Sequence, residues 1–153
     1  MISLDHTDIS ILKLLQKDAK MTNKEIAAAM GLTTTPVYER IKKMEKAGVI
    51  QGYAAIVDHK QVAQSMIAYC NVSLKEHSQA FIETFERQVR QLREVMECHH
   101  IAGASDYLLK IVVKDMEVYR EFMTNKLATI ENIGRVQSSF VMKEIKHEIG
   151  LNL

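Results

Sequence analysis

The first fifty residues contain three short segments of helical periodicity, separated by residues that begin or end helices. Apolar residues recur at helical spacing over 9–15, after two acidic residues that favour a helix N-terminus. Thr22 and Glu25 form the T-x-x-E pattern of a capping box, and Gly31 is placed to end the second helix after about two turns. A helix, a short turn containing glycine and another helix form the helix-turn-helix pattern, which this segment therefore predicts.

The segment that follows predicts a third helix with one apolar and one polar face. The run TTTP at 33–36 offers threonine oxygens for an N-cap and a proline that a first helical turn tolerates. Val37, Ile41 and Met44 then fall on one face, and Gly48 lies where the helix is expected to end. The far side carries Thr35, Glu39, Lys42, Lys43 and Lys46, with Tyr38 and Arg40 at its margins.

The small surplus of positive charge is concentrated on this third helix. The chain has 20 Lys and Arg against 19 Asp and Glu, a formal net charge of +1, which excludes a protein that coats nucleic acid by charge alone. Residues 38–46 hold four basic and two acidic side chains. Hydroxyl groups at a helix N-terminus, followed by basic residues, suit a helix set into a DNA major groove. The same pattern also fits an unrelated three-helix module with a solvated basic face.

Glu39 lies on the polar face of the third helix, among the basic residues. An acidic side chain there can accept a hydrogen bond from cytosine, but it repels phosphate. The alternative is an ion pair with Lys43, four residues later on the same helix, and this pair is the favoured expectation.

The rest of the chain alternates predicted strands and helices. Residues 66–74 alternate apolar and polar side chains, as expected of a strand. Further strands are predicted over 95–101, 107–113 and 136–145, the last after a break at Gly134, and helices over 78–92 and after the capping residue Asp115. The βαββαβ order predicts a ferredoxin-like sheet with two helices on one face, and an apolar second face that a partner subunit covers. The predicted class is α+β, with a helix-turn-helix domain at 1–50, a connecting strand or linker at 51–63 and a ferredoxin-like domain at 64–153.

Few patterns of catalytic or metal-binding chemistry are present. Cys98 and His100 share one face of a predicted strand and Cys70 could add a ligand, but no close pair completes a tetrahedral set, so no metal site is predicted. No phosphate-binding glycine loop, zinc-hydrolase helix or nucleophile elbow occurs, and an enzyme is not expected. The N-terminal residues lack a secretory signal pattern and no apolar run matches a membrane span, so a cytoplasmic protein is expected.

The segment Gly103-Ala104-Ser105-Asp106-Tyr107 joins two predicted strands and is the clearest candidate for ligand binding in this half. Glycine lets a ligand approach the backbone, Ser105 offers a hydroxyl and Asp106 can hold an ammonium group. The alternative, which the pattern favours by itself, is a plain connection in which Asp106 caps the turn.

Four segments together resemble the Lrp/AsnC family of prokaryotic transcription regulators, also called feast/famine regulators. They are LDHTDISILKLLQKDAK at 4–20, TNKEIAAAMGLTTTPVYERIKKMEKAGVIQGY at 22–53, GASDYLLKIVVKD at 103–115 and VQSSFVMKEIK at 136–146. Each segment is moderately specific, but four in order at the expected spacing, over nearly the whole length, are specific. The resemblance implies a winged helix-turn-helix domain that binds double-stranded DNA and a ferredoxin-like domain that assembles dimers into octamers or related rings.

The resemblance also implies a site for a small effector, commonly an amino acid held without a covalent bond, and no cofactor. Such a regulator would be nucleoid-associated. The recognition helix matches residues 33–47, and the DNA candidates on it are Thr34, Thr35, Tyr38, Arg40, Lys42 and Lys43. Effectors of the family lodge between dimers, and the matching residues here are Gly103, Ser105, Asp106 and Tyr107, with Ser138 and Ser139 as weaker candidates.

The chain departs from the family pattern at two positions of the recognition helix. Proline is frequent in the family where Thr34 stands, and a basic residue is frequent where Glu39 stands, so no operator sequence is transferred. Two other hypotheses stay open on the sequence. One is a small-molecule-binding or enzymatic ferredoxin-like domain whose N-terminal helices serve only assembly. The other is a metal sensor that uses Cys98 and His100.

Overall fold

The computed structural model describes residues 2–59 and 61–153, which form two compact units. One unit comprises residues 1–56 together with 146–153, and it is called the helical unit below. The other comprises residues 57–145 and is called the sheet unit. None of the helices in the described residues combines the length and hydropathy that crossing a bilayer requires.

Three helices build the helical unit: α1 (His6–Lys17), α2 (Asn23–Met30) and α3 (Thr34–Lys46). The predicted capping box of α2 is confirmed, because the Thr22 hydroxyl accepts from the Glu25 N–H and the Glu25 carboxylate accepts from the Thr22 N–H. Gly31 ends α2 with a φ of 65°, a left-handed conformation that glycine adopts without steric cost. The core that holds the helices together consists of Ile11, Leu12, Ile26, Ala27, Val37, Ile41 and Met44.

The N-terminus of α3 differs from the prediction in one respect. Thr33 is the N-cap residue, but no threonine side chain caps the helix with a hydrogen bond. The expectation that these hydroxyls serve as cap acceptors is therefore wrong. Their oxygens are not occupied by the helix, so Thr34 and Thr35 present both exposed hydroxyls and free N–H groups of the first turn to solvent.

The connection between the units contains no regular strand in its described part. Residues 51–58 form neither a helix nor part of a ladder, so the strand expected as one alternative does not form there, and the assignment of 51–63 as a linker stays a prediction. Its apolar side chains are largely exposed, with Ile56 at 76%.

The sheet unit confirms the predicted βαββαβ order. It contains β1 (Met66–Leu74), α4 (Gln79–Val89), β2 (Val95–His100), β3 (Tyr107–Val113), α5 (Met116–Asn125), a short 3-10 turn (Leu127–Thr129) and β4 (Ile133–Phe140). The strands form one antiparallel sheet in the order β2-β3-β1-β4. The predicted cap of α5 is also confirmed, since the Asp115 carboxylate accepts from the N–H groups of Glu117 and Val118.

One predicted strand boundary is wrong. The fourth strand runs over Ile133–Phe140 rather than 136–145, and Gly134 lies inside it instead of breaking the chain before it. The reason is packing against β1, where the register shifts between Ser73 and Leu74. A Cβ at position 134 would lie 3.3 Å from the Ser73 carbonyl oxygen and from the Lys75 side chain, so glycine allows a close approach of two backbones.

The two faces of the sheet differ in polarity. The face under the helices is apolar and carries Ala68, Cys70, Val72, Leu74, Tyr107, Leu109, Ile111 and Val113, packed on Phe85, Val89, Tyr119 and Phe122. The opposite face mixes Tyr69, Leu108 and Val112 with polar side chains, among them Lys110, whose Nζ donates to Glu97 Oε1 at 2.9 Å. Coverage of this face by a partner subunit stays a prediction.

Candidate functional site

Helix α3 presents a polar face of the predicted kind. Val37, Ile41 and Met44 are buried and anchor the helix to α1 and α2. The exposed side carries Thr34, Thr35, Tyr38, Glu39, Lys42, Lys43 and Lys46. Five of the six side chains proposed for DNA contact therefore lie on one solvent-facing surface, and Arg40 is the exception.

Arg40 points from α3 towards the start of α1 instead of towards solvent. Its Nη1 donates to Asp5 Oδ2 at 2.6 Å and to Asp8 Oδ1 at 2.7 Å. Asp8 is the buried end of this cluster, with 2% of its surface exposed, and its other oxygen accepts from the Asp5 N–H. The hydrogen bonds to Asp8 and Asp5 raise the pKa of Arg40 above its ordinary value. A phosphate contact through Nη1 would compete with two carboxylates, so Arg40 is better placed to fix α3 against α1.

Lys42 is also engaged within the helical unit. Its Nζ donates to Glu45 Oε2 at 2.7 Å and lies 5.9 Å from the centre of the Tyr38 ring. Glu45 in turn accepts from the Tyr53 hydroxyl at 3.1 Å. The hydrogen bond with Glu45 raises the pKa of Lys42, and the same bond lowers the pKa of Glu45. Because this ion pair lies at the surface, it contributes little free energy, and a DNA phosphate can replace Glu45 as the partner of Lys42.

Lys43 keeps its ammonium group unpaired among the residues that the structure describes. The ion pair expected between Glu39 and Lys43 is not formed, although both residues are exposed on α3. Lys46, in the last turn of α3, is likewise without an ion pair in the described chain. It was not among the predicted contacts, although its place on the polar face was visible in the sequence.

The predicted effector loop is held by Asp106, whose two carboxylate oxygens have different partners. Oδ2 accepts from the Leu74 N–H at 2.7 Å, and Oδ1 lies 3.0 Å from Nε2 of His77. The bond from Leu74 is the main reason why the pKa of Asp106 is below its usual range, and His77 adds to it. His77 is 61% exposed and was not predicted, because it lies 29 residues from Asp106 along the chain.

Tyr107 belongs to the core of the sheet unit. It is 1% exposed, and its ring centre lies 4.5 Å from Phe85 and 4.7 Å from the stacked ring of His100. Its hydroxyl donates to Glu86 Oε1 at 3.2 Å. Burial, and then the bond to Glu86, raise the pKa of Tyr107 to about 12. Gly103, by contrast, is exposed with φ of 155° and open space where a side chain would stand, and Ser105 is half-buried.

The two predicted serines of β4 point to opposite faces of the sheet. Ser138 lies under α5, where its oxygen accepts from the Tyr119 hydroxyl at 2.5 Å and Cys70 Sγ lies 3.5 Å away. Ser139 pairs with Tyr69 on the other face and is exposed. Tyr69 is about 10 Å along β1 from the residue that pairs with Tyr107, at the ordinary rise of a strand. Within one chain, the six predicted effector residues therefore do not line a single pocket.

A cavity of about 380 Å³ lies between α4 and the edge strand β2. Its lining includes Glu86, Arg90, Cys98, His100 and Tyr107. Partial burial raises the pKa of the Cys98 thiol. No three His, Cys, Asp or Glu side chains cluster as metal ligands in residues 2–59 and 61–153. Glu86 and Arg90 were predicted only as exposed residues of a helix. No motif in the neighbouring sequence indicated that they line a cavity.

Two family models match the chain, one in its N-terminal part and one in its C-terminal part. Residues 4–51 match a model described as a winged helix-turn-helix DNA-binding domain. Residues 67–151 match a model described as the Lrp/AsnC ligand-binding domain.

Curated relatives match over nearly the full length of the chain. The Bkd operon transcriptional regulator of Pseudomonas aeruginosa is 32% identical over 145 residues, which covers 95% of each chain. The leucine-responsive regulatory protein of Escherichia coli is 35% identical over 143 residues, which covers 94% of this chain and 87% of that protein. Both proteins are named as regulators.

A solved structure supports the same fold. It is a transcriptional regulator from Neisseria meningitidis in complex with L-methionine, and it superposes with a TM-score of 0.92 at 36% identity. The match covers 97% of this chain and 96% of that one. Both units of the present chain therefore have counterparts in one known protein.

Proposed function

Because this chain belongs to the Lrp/AsnC family of transcriptional regulators, we propose that α3 reads double-stranded operator DNA and that an amino acid is the effector. The chain is a transcriptional regulator with a helix-turn-helix DNA-binding domain and a ligand-binding domain, and its named relatives are regulators, not enzymes. The hypothesis of an enzyme whose N-terminal helices serve only assembly is therefore discarded.

The DNA proposal is supported mainly by the polar face of α3. Its first turn offers hydroxyls and N–H groups that no cap occupies, and its middle offers the unpaired ammonium of Lys43. Helix N-termini bind phosphate, and short polar side chains reach base edges in the major groove. Thr34, Thr35 and Tyr38 are proposed to meet the bases, while Lys43 and then Lys42 meet phosphates. In a dimer, two such helices separated by roughly 34 Å would enter successive turns of one groove.

Lys43→Ala is expected to reduce the slope of log affinity against log salt by about 1, because one phosphate contact and its released counterion are lost. Lys42→Ala is expected to change the slope less, because Glu45 already neutralises Lys42 in the free protein. Titration of operator DNA at several salt concentrations measures both. Lys75→Ala, an exposed lysine of the sheet unit, is the control with an unchanged slope. A wild-type slope in Lys43→Ala would remove Lys43 from the interface.

The effector proposal is supported by the ligand-binding domain and by two of the proteins that the chain resembles. One is named leucine-responsive and another was solved with L-methionine. The proposed site uses Gly103 and Ser105 for close approach and Asp106 for the ammonium group. His77 is an exposed partner that an ammonium group can replace at Asp106 Oδ1, while Oδ2 stays bound to the Leu74 N–H. Since Ser138 and Ser139 lie apart from this loop, a complete site is proposed to use residues from neighbouring copies in a dimer-based ring.

An amino acid that binds this site is expected to raise the melting temperature, because a ligand selective for the folded state adds about 2.7 kcal/mol at a hundredfold excess over Kd. A thermal-shift screen of the twenty amino acids identifies it. Asp106→Asn is then expected to weaken binding at least about tenfold in calorimetry, since the charge is lost while an acceptor for Leu74 remains.

His77→Ala is the matched variant for this experiment. It removes the competing partner of Asp106, so affinity for the amino acid is expected to stay equal or to increase. Unchanged affinity in Asp106→Asn would contradict the assignment of the loop, and the absence of any stabilising amino acid would contradict the class of effector.

A further inference from the structure

Residues 146–153 belong to the helical unit, although the sheet unit, residues 57–145, separates them in sequence from the rest of it. The contact is made by the side-chain amide of Gln16, near the end of α1. Gln16 Oε1 accepts from the Leu151 N–H at 2.5 Å, and Gln16 Nε2 donates to the Leu151 carbonyl oxygen at 3.3 Å. The amide thus pairs with both backbone groups of one residue, as a neighbouring strand would.

An apolar groove lies beside this pair of hydrogen bonds. It has a volume of about 430 Å³, and its walls include Leu4, Leu12, Leu15, Val49 and Ile50. Leu151 and Leu153 line the same groove from the side of the C-terminal peptide. Leu153 is the more enclosed of the two, at 38% exposure against 75% for Leu151. The backbone of residue 151 is therefore held by hydrogen bonds, and the side chain of residue 153 by apolar contact.

Gly150 explains how the peptide comes so close to α1. A Cβ at this position would lie 3.2 Å from Gln16 Oε1, so a side chain here would press on the amide that binds Leu151. Residues 149–153 also carry no charged side chain, whereas 146–148 are Lys, His and Glu. The composition changes from charged to apolar at the point where the peptide meets the groove.

We propose that the side of the helical unit formed by α1 and residues 49–50 is a docking surface for an extended apolar peptide, and that residues 149–153 of the same chain dock there and close one wall of the groove. The surface requires three features of the peptide. These are a small residue at position 150, backbone N–H and C=O groups at 151 that are free to pair with Gln16, and an apolar side chain at 153. Its occupation does not depend on DNA or on an effector, so this inference goes beyond the proposed function.

A disulfide trap tests both the contact and the identity of the occupant. The Cβ of Gln16 lies 3.7 Å from the position of a Cβ at residue 150, within the range that a disulfide bridges. The full chain would carry Gln16→Cys with Gly150→Cys, in a Cys98→Ser background because Cys98 is the exposed native cysteine. Mild oxidation is expected to close an intrachain disulfide, seen as a faster monomer band without reductant and as a linked peptide in mass spectrometry.

The other outcomes of the trap overturn the proposal. A covalent dimer would mean that the peptide docks on a second copy. Because Gln16→Cys also removes the amide that binds Leu151, a chain that stays reduced would mean that apolar contact with the groove does not hold the peptide beside α1. Ser10→Cys with Gly150→Cys is the control, because Ser10 lies about 9 Å further back along α1, and it is expected to stay reduced.

Hydrogen exchange in the otherwise native chain supplies a measurement that needs no cross-link. The Leu151 amide is expected to exchange several-fold faster in Gln16→Ala than in the wild type, because its acceptor is removed. Gln91→Ala, an exposed glutamine of the sheet unit, is expected to leave that rate unchanged. An equal rate in Gln16→Ala and wild type would overturn the proposed pairing.

Discussion

Tyr107→Ala is expected to lower the free energy of unfolding of the sheet unit by about 3–5 kcal/mol, the cost of removing a large aromatic side chain from a packed core. Tyr107 is 1% exposed and contacts the rings of Phe85 and His100. Alanine would leave a cavity between α4 and β3 and an unpartnered Glu86 oxygen. Urea denaturation followed by circular dichroism measures the loss.

Tyr107→Phe separates the ring from the hydroxyl. It keeps the aromatic contacts and removes only the bond to Glu86, so the expected loss is about 1 kcal/mol. The wild type and the phenylalanine variant also differ in alkaline solution, because only the wild type has a hydroxyl that titrates. Tyr107 loses its proton near pH 10 when unfolded but near 12 when folded, so its contribution is complete below pH 10 and is lost as the pH rises to about 12. The phenylalanine variant is expected to lack this part of the alkaline destabilisation.

These variants also decide between two roles for Tyr107. If Tyr107 serves only the core, its truncation destabilises the sheet unit, and effector binding decreases only in proportion to the fraction of protein that unfolds. A residue that contacts the effector directly would show the reverse, with wild-type stability and weakened amino-acid binding in Tyr107→Phe. That second result would contradict the placement of Tyr107 in the core.

Arg40→Ala is expected to destabilise the helical unit by about 2 kcal/mol, because it leaves the buried carboxylate of Asp8 without its cation. This expected loss of stability is smaller than that for a fully buried ion pair, because a third of the Arg40 side chain is exposed to solvent. Thermal unfolding of the free protein measures it, with no DNA present. Lys43→Ala, on the same helix, is the control and is expected to keep wild-type stability.

A second substitution tests the cause of this loss. Asp8→Asn removes the buried charge but keeps an acceptor for the Asp5 N–H, so the Arg40→Ala, Asp8→Asn double variant is expected to be more stable than Arg40→Ala alone. A residue used only for phosphate contact would show no such rescue. If Arg40→Ala kept wild-type stability but bound DNA more weakly, the structural role of Arg40 would be contradicted and a direct contact with DNA supported.

The features that the sequence predicted well depend on short-range interactions. The capping box of Thr22 and Glu25, the end of α2 at Gly31 and the cap at Asp115 each depend on residues a few positions apart. The order of strands and helices followed from periodicity in the same way, and with it the topology of the sheet.

The features that the sequence missed depend on contacts between distant residues. Arg40 was predicted to contact DNA because it lies in the segment that resembles the recognition helix, at the margin of its polar face. Its partners in the structure lie 32 and 35 residues earlier. Gly134 was interpreted as a break because nothing in the sequence shows that β1 passes within van der Waals contact of it. Asp106 was predicted to bind an effector or to cap its own turn. Its partners within the chain are the Leu74 N–H and His77, which lie 32 and 29 residues earlier and could not be foreseen, and its contact with an effector stays a prediction.

The unequal burial of the two cysteines gives this protein a single natural labelling position. Cys70 is fully buried and close to the Tyr119 hydroxyl, whereas Cys98 is exposed on the edge strand β2, beside the cavity under α4. A thiol-reactive fluorophore is therefore directed to Cys98 without any engineered residue, although the raised pKa of that thiol calls for mildly alkaline conditions. The dye would sit on the strand that leads directly into the Gly103–Tyr107 loop, so its emission can report events at that loop in the unmodified sequence.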